Sequence, residues 1–172
     1  SFQITPMQLL SAVSRVINGG NQITPHFGLY AENAEGKRVK TYAYTGETGV
    51  ITKETSETMK MLLEAVVHDG TGNRAYLPGF RIGGKTATSE KLPRSQNNYI
   101  SSFVGFAPAN DPQVLAMVLI DEPEGIYYGG TIAAPVIAEV FNAILPYLGI
   151  EPAYTEEELK KEGVGTFPMP AL

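Results

Sequence analysis

Two β-rich runs joined by a short turn constrain this chain's fold more than any other feature. The runs are residues 99–107 and 114–120, and the segment between them, Pro108-Ala109-Asn110-Asp111-Pro112, is typical of a tight turn. A connection this short requires the two strands to be antiparallel. Because the second run consists entirely of apolar residues, we expect that strand to be covered on both faces.

Three segments with apolar residues at helical spacing predict helices beside this sheet. The first begins at Thr5-Pro6-Met7-Gln8, where threonine and glutamine form a capping box and proline takes the first helical position, and it stops at Gly19-Gly20. The fold class is therefore α+β, with a mainly antiparallel sheet and packed helices. The other helices are predicted over residues 52–68 and 131–146, and a further β-hairpin over residues 27–31 and 38–44.

The composition and charge exclude several classes of partner and site. With 172 residues, of which 43% are hydrophobic, the chain can bury the core of about one domain. Its net charge of −5, without a run of lysines and arginines, predicts no basic surface that would bind nucleic acid or an anionic membrane. The chain lacks cysteine, and His26 and His68 have no third ligand at metal spacing, so we expect no metal site and no cofactor. No apolar run reaches the roughly 20 residues that span a bilayer.

Residues 79–91 carry the strongest chemical signal, a lysine set among glycines and hydroxyl side chains. Two incompatible chemistries fit these letters, phosphate binding and acyl transfer. For phosphate, Gly79, four further residues and then Gly84-Lys85-Thr86 satisfy the phosphate-loop pattern, and the acidic residue after the run 114–120 imitates a magnesium ligand. A phosphate loop also needs a parallel strand before it and a helix that begins at the lysine, and neither pattern surrounds Lys85. An NTP-binding module therefore remains only as an alternative.

For acyl transfer, residues 83–91, Gly-Gly-Lys-Thr-Ala-Thr-Ser-Glu-Lys, resemble the Lys-Thr-Gly-Thr strand of the penicillin-binding protein transpeptidases. The resemblance runs in the right order over about 150 of the 172 residues and is specific to the class B, monofunctional type, of the elongation or sporulation kind. It also rests on Thr-Pro-x-Gln-Leu with Asn-Gly-Gly in residues 1–20, Val-Val-x-x-Gly-Thr-Gly before residue 84, Ser-Phe-x-Gly-Phe-x-Pro in residues 101–108, and Tyr-Tyr-Gly-Gly-x-x-Ala-Ala-Pro in residues 127–135.

The resemblance implies how the chain is divided and where its chemistry lies. Residues 1–150 would be the C-terminal portion of a transpeptidase domain, that is, the C-terminal half of the penicillin-binding/β-lactamase-like fold, and residues 151–172 an acidic, proline-punctuated tail or linker. In this family a serine, activated by the lysine three residues after it, attacks its substrate and forms an acyl-enzyme. No lysine here has a serine three residues before it, so we expect the nucleophile upstream of Ser1 and an inactive fragment.

The same resemblance gives roles to four residues. Lys85 would be catalytic, because its positive charge supports the proton relay, and Thr86, Ala87 and Thr88 would line the bound substrate. The two threonine hydroxyls would bind the substrate's terminal carboxylate, and the Thr88 N–H would be the second oxyanion-hole donor, worth about 10²–10³ in rate in related enzymes. Ala87 departs from the family, which has glycine there, where it leaves room for the nucleophile's helix to pack close; the added methyl group would either be accommodated by a small shift or lower the rate of acylation. Ser95-Gln96-Asn97 matches the serine-x-asparagine motif in letters only, since it follows the lysine.

The implied parent is an extracytoplasmic peptidoglycan D,D-transpeptidase, anchored to the bacterial cell membrane. Its partners would be the peptidoglycan stem peptide, the β-lactams that mimic it, and the missing N-terminal half of the transpeptidase domain. The fragment would meet the membrane only through the parent's anchor, and it would bind no nucleic acid. A non-catalytic scaffold domain that kept this fold is a second alternative.

Overall fold

The computed structural model describes residues 3–152. The chain divides into two compact units, residues 1–57 and 58–172. In the first unit, helix α1, Pro6–Ile17, begins at the predicted capping box: Thr5 Oγ1 accepts from the Gln8 N–H at 3.2 Å, and Gln8 Oε1 accepts from the Thr5 N–H at 2.8 Å. The helix is followed by Gly19 and Gly20, whose φ angles of 78° and 83° are left-handed, so the predicted stop is confirmed.

The first unit also contains the predicted β-hairpin, but its strands are shorter than expected. Strand β1, Tyr30–Glu32, pairs antiparallel with β2, Arg38–Thr41. The register shifts between Ala31 and Glu32, which interrupts regular pairing. Phe27, at the start of the predicted strand, lies outside β1 with its side chain fully exposed.

A buried serine joins the start of the second helix to the end of the first. Helix α2, Lys53–His68, begins after Thr52, whose Oγ1 accepts from the Thr55 N–H at 3.1 Å, so this cap is confirmed. Ser56, which is fully buried, donates through Oγ to the Val16 carbonyl at 2.7 Å and accepts from the Gly19 N–H at 2.9 Å. These two bonds satisfy backbone groups at the C-terminus of α1 that the helix itself leaves without a partner.

The second unit is built on a three-stranded antiparallel sheet, in the order β3-β4-β5. The strands are β3, Gly83–Glu90; β4, Tyr99–Ala107; and β5, Val114–Asp121. The predicted hairpin of β4 and β5 is therefore confirmed, and the strand expected over residues 79–91 begins at Gly83. The register places Thr86 opposite Phe103, and Phe103 opposite Val118.

Two consecutive helices cover one face of this sheet. Helix α3, Gly129–Ile132, precedes α4, Ala134–Tyr147, so the helix predicted from about residue 131 starts two residues earlier and is interrupted at Ala133. The fully buried core joins Phe103 of β4 to Ile137, Phe141 and Leu145 of α4. The segment of residues 129–147 is long and apolar enough to cross a membrane by length and composition alone. The side chains of Ile137, Phe141 and Leu145, however, are buried in this core.

The expectation that β5 is covered on both faces is wrong. Because side chains alternate along a strand, Val114, Ala116, Val118 and Ile120 pack against the α4 core, while Leu119, on the other face, is 42% exposed. The buried strand is instead β4, the middle strand, where every residue from Ser101 to Ala107 is buried. The apolar run in β5 therefore belongs to a strand at the edge of the sheet, whose residues 114–118 and 120 are only half-buried.

Ion pairs fix both ends of β3. Before the strand, Arg81 makes two bonds to the carboxylate of Glu64 in α2, at 2.7 and 2.6 Å. After it, Lys91 Nζ lies 2.7 Å from Glu122 and 2.9 Å from Asp121 at the end of β5. The hydrogen bonds to Glu122 and Asp121 raise the pKa of Lys91 above its usual 10.5.

The predicted tail, residues 151–172, lies outside the described residues except for Glu151 and Pro152.

Candidate functional site

One edge of β3 holds all four residues that the sequence singled out. In the described part of the chain, β3 pairs with a strand on one side only, β4. The Thr86 carbonyl accepts from Lys85 Nζ at 2.8 Å, so the backbone of Thr86 points away from β4. In an antiparallel strand, both backbone groups of a residue point the same way, and alternate residues point the same way. The Thr88 N–H therefore points out along the same edge.

The four side chains divide between the two faces of the sheet. Thr86 and Thr88, opposite Phe103 and Ser101, lie on the face that α3 and α4 cover. Lys85 and Ala87, opposite Val104 and Ser102, lie on the other face, and both are exposed. The Lys85 side chain nevertheless bends around the edge of β3, so that its Nζ is 3.4 Å from Thr86 Oγ1. The methyl group of Ala87 projects on the face away from the helices.

Thr88 is held by the start of α3. Its Oγ1 accepts the Gly129 N–H at 3.1 Å, across 41 positions of sequence. Gly129 packs so closely here that an added Cβ would overlap the carbonyl oxygens of Ala87 and Ser102. Those two residues face each other in the β3–β4 register, so Gly129 lies directly over the ladder. Only glycine allows the helix start to come this close to the strand.

A second contact holds Thr86 from the turn after α2. Thr71 Oγ1 lies 3.3 Å from Thr86 Oγ1, and an added Cβ at Gly130 would overlap the Thr71 carbonyl and meet Thr86 Cγ2 at 3.1 Å. The same turn is tied to α3 by Arg74, whose Nη1 donates to the Thr131 carbonyl at 3.2 Å. Each threonine hydroxyl thus has one contact with the helix or the turn behind it.

Three tyrosines flank the end of this edge. The rings of Tyr99 and Tyr127 stack at 4.1 Å, and those of Tyr127 and Tyr128 are tilted at 4.6 Å. The hydroxyls of Tyr127 and Tyr128 are 3.5 Å apart, and this hydrogen bond raises the pKa of Tyr128 above its usual 10.0. Tyr128 is 59% exposed, so its ring is available at the surface beside Gly129.

Chemically, the edge combines one positive charge with several hydrogen-bond donors. The Lys85 ammonium, two threonine hydroxyls and the outward Thr88 N–H can together bind a carboxylate or stabilise an oxyanion. Sequence reasoning identified these donors but missed their contacts with Gly129 and Thr71. The Gly-Gly pair that begins α3 and the Gly-Thr-Gly turn were visible in the sequence, but their contacts with β3 are long-range.

The phosphate-loop alternative is wrong. Lys85 lies within an antiparallel β-strand, and residues 83–90 form that strand, so no helix begins at Lys85. The backbone N–H groups of residues 85–90 therefore alternate along a strand and do not converge at a helix N-terminus, as cradling a phosphate requires.

The remaining sequence candidates lie apart from this edge. Residues 94–96 form a 3-10 turn, and Asn97 follows with a left-handed φ of 52°, which fits the reading of Ser95-Gln96-Asn97 as a loop. His26 stacks on Tyr44 at 3.7 Å, and His68 contacts Asp69 at 2.8 Å. Among residues 3–152, no three His, Cys, Asp or Glu side chains come together as a metal site would need.

Known proteins are similar in sequence to most of this chain. The family described as "Penicillin binding protein transpeptidase domain" matches residues 1–145. Stage V sporulation protein D of Bacillus subtilis is 40% identical over 162 residues, which is 91% of this chain and 25% of that protein. The probable peptidoglycan D,D-transpeptidase PenA of Neisseria flavescens is 34% identical over 88% of this chain and 36% of its own length.

Solved structures show the same fold. The D,D-transpeptidase domain of a peptidoglycan glycosyltransferase from Eggerthella lenta superposes with a TM-score of 0.75 at 29% identity, covering 86% of this chain and 33% of that one. Penicillin binding protein 3 of Mycobacterium, solved with ampicillin, gives a TM-score of 0.77 at 21% identity, over 89% and 37% of the two chains. The chain thus spans between 25% and 37% of the length of these four proteins.

Proposed function

Since this chain belongs to the family of penicillin-binding protein transpeptidase domains, we propose that it forms one wall of the active site of a peptidoglycan D,D-transpeptidase. The complete gene product that contains it, called the parent protein below, would cross-link cell-wall peptides through a serine acyl-enzyme. The names of the relatives from Neisseria flavescens and Eggerthella lenta, both D,D-transpeptidases, support this activity.

The observation that carries the proposal is the donor-lined edge of β3. Such an edge suits a peptide substrate that ends in a carboxylate and passes through an oxyanion when its carbonyl is attacked. Thr86 and Thr88 bind the carboxylate through their hydroxyls, and the Thr88 N–H donates to the oxyanion. Lys85 is catalytic: its ammonium, 2.8 Å from the Thr86 carbonyl, lies at the same edge, and its positive charge supports the proton relay.

The serine nucleophile comes from the N-terminal half of the transpeptidase domain. It approaches the sheet face that carries Lys85 and Ala87, because α3 and α4 already cover the opposite face. Ala87, on the same face, then lines the substrate and adds a methyl group where the family has glycine.

The same proposal sets the division and location of the chain. Residues 1–150 are the C-terminal portion of the domain, and residues 151–172 are a tail or linker. The parent works outside the cytoplasm on peptidoglycan stem peptides, binds β-lactams as substrate mimics, and reaches the membrane through its own anchor.

Covalent labelling tests the proposal. The parent protein is incubated with benzylpenicillin, and its intact mass is measured. We expect one adduct per molecule, and we expect none on the 172-residue chain alone, because it carries no serine-x-x-lysine motif. Lys85→Met in the parent should slow the labelling by about 10²-fold or more, the usual loss when a group in a proton relay is removed.

Lys91→Met is the matched control for this experiment. Lys91 follows the same strand, but its ammonium is held by Asp121 and Glu122, so its loss should leave the labelling rate unchanged. An adduct on the chain alone would show that the nucleophile is in this chain, against the proposal. A parent that is folded but unlabelled would favour the non-catalytic scaffold.

A further inference from the structure

A buried serine on β4, to which the proposed function gives no role, lies beside Thr88. Ser101 is opposite Thr88 in the β3–β4 register, and its side chain lies on the same face of the sheet. The Ser101 side chain is fully buried, unlike that of Thr88, which is exposed. A hydroxyl taken out of water in this way must make a hydrogen bond to offset its lost hydration.

The partner of Ser101 is the backbone just before α3. Ser101 Oγ donates a hydrogen bond to the carbonyl of Tyr127. Two residues further on, the Gly129 N–H donates to Thr88 Oγ1 at 3.1 Å. The side chains of Ser101 and Thr88, which face each other on neighbouring strands, thus both bind one short segment, residues 127–129. The ring of Tyr99, on the same face of β4, stacks on Tyr127 at 4.1 Å and holds the segment at a third point.

The bond from Gly129 decides what the Thr88 hydroxyl can do. A threonine hydroxyl carries one hydrogen and two acceptor lone pairs. When the Gly129 N–H occupies one lone pair, Thr88 acts as the acceptor in that bond, and its own hydrogen has to be donated elsewhere. Because Thr88 is exposed, its hydroxyl hydrogen can be donated to water in the free protein and to an acceptor on the ligand, such as a carboxylate oxygen, when one is bound.

We propose that Ser101 is a positioning residue, which holds the Tyr127 carbonyl so that the Gly129 N–H stays on Thr88 Oγ1 and the Thr88 hydroxyl hydrogen is directed to the substrate carboxylate. This role rests on the proposed function, because it assumes that a carboxylate binds at the β3 edge. Ser101 itself touches neither substrate nor reacting atoms.

The test compares two ligands that differ only in the carboxylate. The parent protein is acylated by benzylpenicillin and by its methyl ester, and the ratio of the two second-order rate constants measures carboxylate recognition. We expect Ser101→Ala to lower this ratio about three- to tenfold, the range that one net hydrogen bond supplies. Ser101→Thr, which keeps the hydroxyl, should retain the ratio of the unaltered protein.

A double-mutant comparison with Thr88 distinguishes a positioning role of Ser101 from a purely structural one. In a Thr88→Val background, Ser101→Ala should change the ratio no further, because the hydroxyl it directs is gone. Additive losses, or equal losses for acid and ester, would overturn the proposal. Ser102→Ala is the matched control, since its side chain lies on the opposite face of β4; a loss of the ratio as large as that of Ser101→Ala would also count against the proposal.

Amide hydrogen exchange at Gly129 tests the role of Ser101 even if neither ligand acylates the parent protein. The Gly129 amide should exchange slowly in the unaltered parent and faster in both Ser101→Ala and Thr88→Val. Fast exchange in the unaltered protein would overturn the proposal. If neither ligand labels the parent, the proposed function fails, and Gly129 protection still tests the grip of Ser101. Should Ser101→Ala not fold, Ser101→Thr decides: a lost ratio or lost Gly129 protection in that variant refutes the role.

Discussion

Gly129→Ala should damage the second unit severely for a change of one methyl group. The added Cβ would overlap two backbone carbonyl oxygens, those of Ala87 and Ser102, and backbone of the sheet cannot move aside as a flexible side chain can. Overpacking of a tight site costs about 1–3 kcal/mol, and the loss of the Gly129–Thr88 hydrogen bond adds about 1 kcal/mol. We therefore expect a loss of about 2–4 kcal/mol.

Thermal unfolding of the 172-residue chain, followed by circular dichroism, measures this loss. For a chain of this size each kcal/mol lowers the melting temperature by about 2–4 °C, so a loss of about 3 kcal/mol corresponds to about 6–12 °C. Gly28→Ala is the matched control, because an added Cβ there would meet the Tyr42 ring at 3.7 Å, an ordinary contact. If Gly129→Ala melts within about 2 °C of Gly28→Ala, the close packing of α3 on the sheet is refuted.

Three further changes test other parts of the structure. Arg81→Leu should cost about 1–2 kcal/mol in urea unfolding, between the values for exposed and buried ion pairs, because the side chains of Arg81 and Glu64 are 33% and 23% exposed; no loss would contradict the pairing. Lys91→Met should destabilise the chain at neutral pH, and the difference should fade as pH rises above 10.5, because the folded state raises the pKa of Lys91 and so favours its charged form; a pH-independent difference would contradict this. Ala87→Gly in the parent should speed acylation by about tenfold, since one methyl group in a close-fitting site is worth about 1–3 kcal/mol; equal rates would show that the methyl is accommodated.

Local signals in the sequence predicted the elements well, because the physics that sets them is local. The capping box at Thr5 and Gln8 and the left-handed glycines after α1 each depend on residues within one turn. The proline-bounded turn before Val114 fixed the antiparallel pairing of β4 and β5. In these places the sequence neighbours of a residue are also its structural partners.

Burial was harder to predict, because it depends on the order of strands and on single long-range bonds. The apolar run of β5 suggested a strand covered on both faces, yet β4, with Ser101 and Ser102 in it, is the strand whose residues 101–107 are all buried. Lys60 is 7% exposed, with its Nζ on the Asn110 carbonyl at 2.9 Å, although a lysine on a helix is normally read as a solvated residue.

The candidate site shows the same division. Lys85, Thr86 and Thr88 could be singled out because lysine, glycine and hydroxyl side chains stand together in one short stretch. The residues that position them could not be singled out. Gly129 contacts Thr88 across 41 positions of sequence, and Ser101 bonds to a backbone carbonyl. A residue that works through another residue's main chain leaves no motif of its own.

The most direct test of a substrate wall along β3 is a crystal structure of the parent protein acylated by benzylpenicillin. We expect the acyl carbonyl oxygen about 2.7–3.1 Å from the Thr88 nitrogen, the range for an oxyanion-hole donor, and the ligand carboxylate within hydrogen-bonding distance of the Thr86 and Thr88 hydroxyls. An acyl group bound to a serine that leaves the β3 edge uncontacted would contradict the roles of Lys85, Thr86 and Thr88 together.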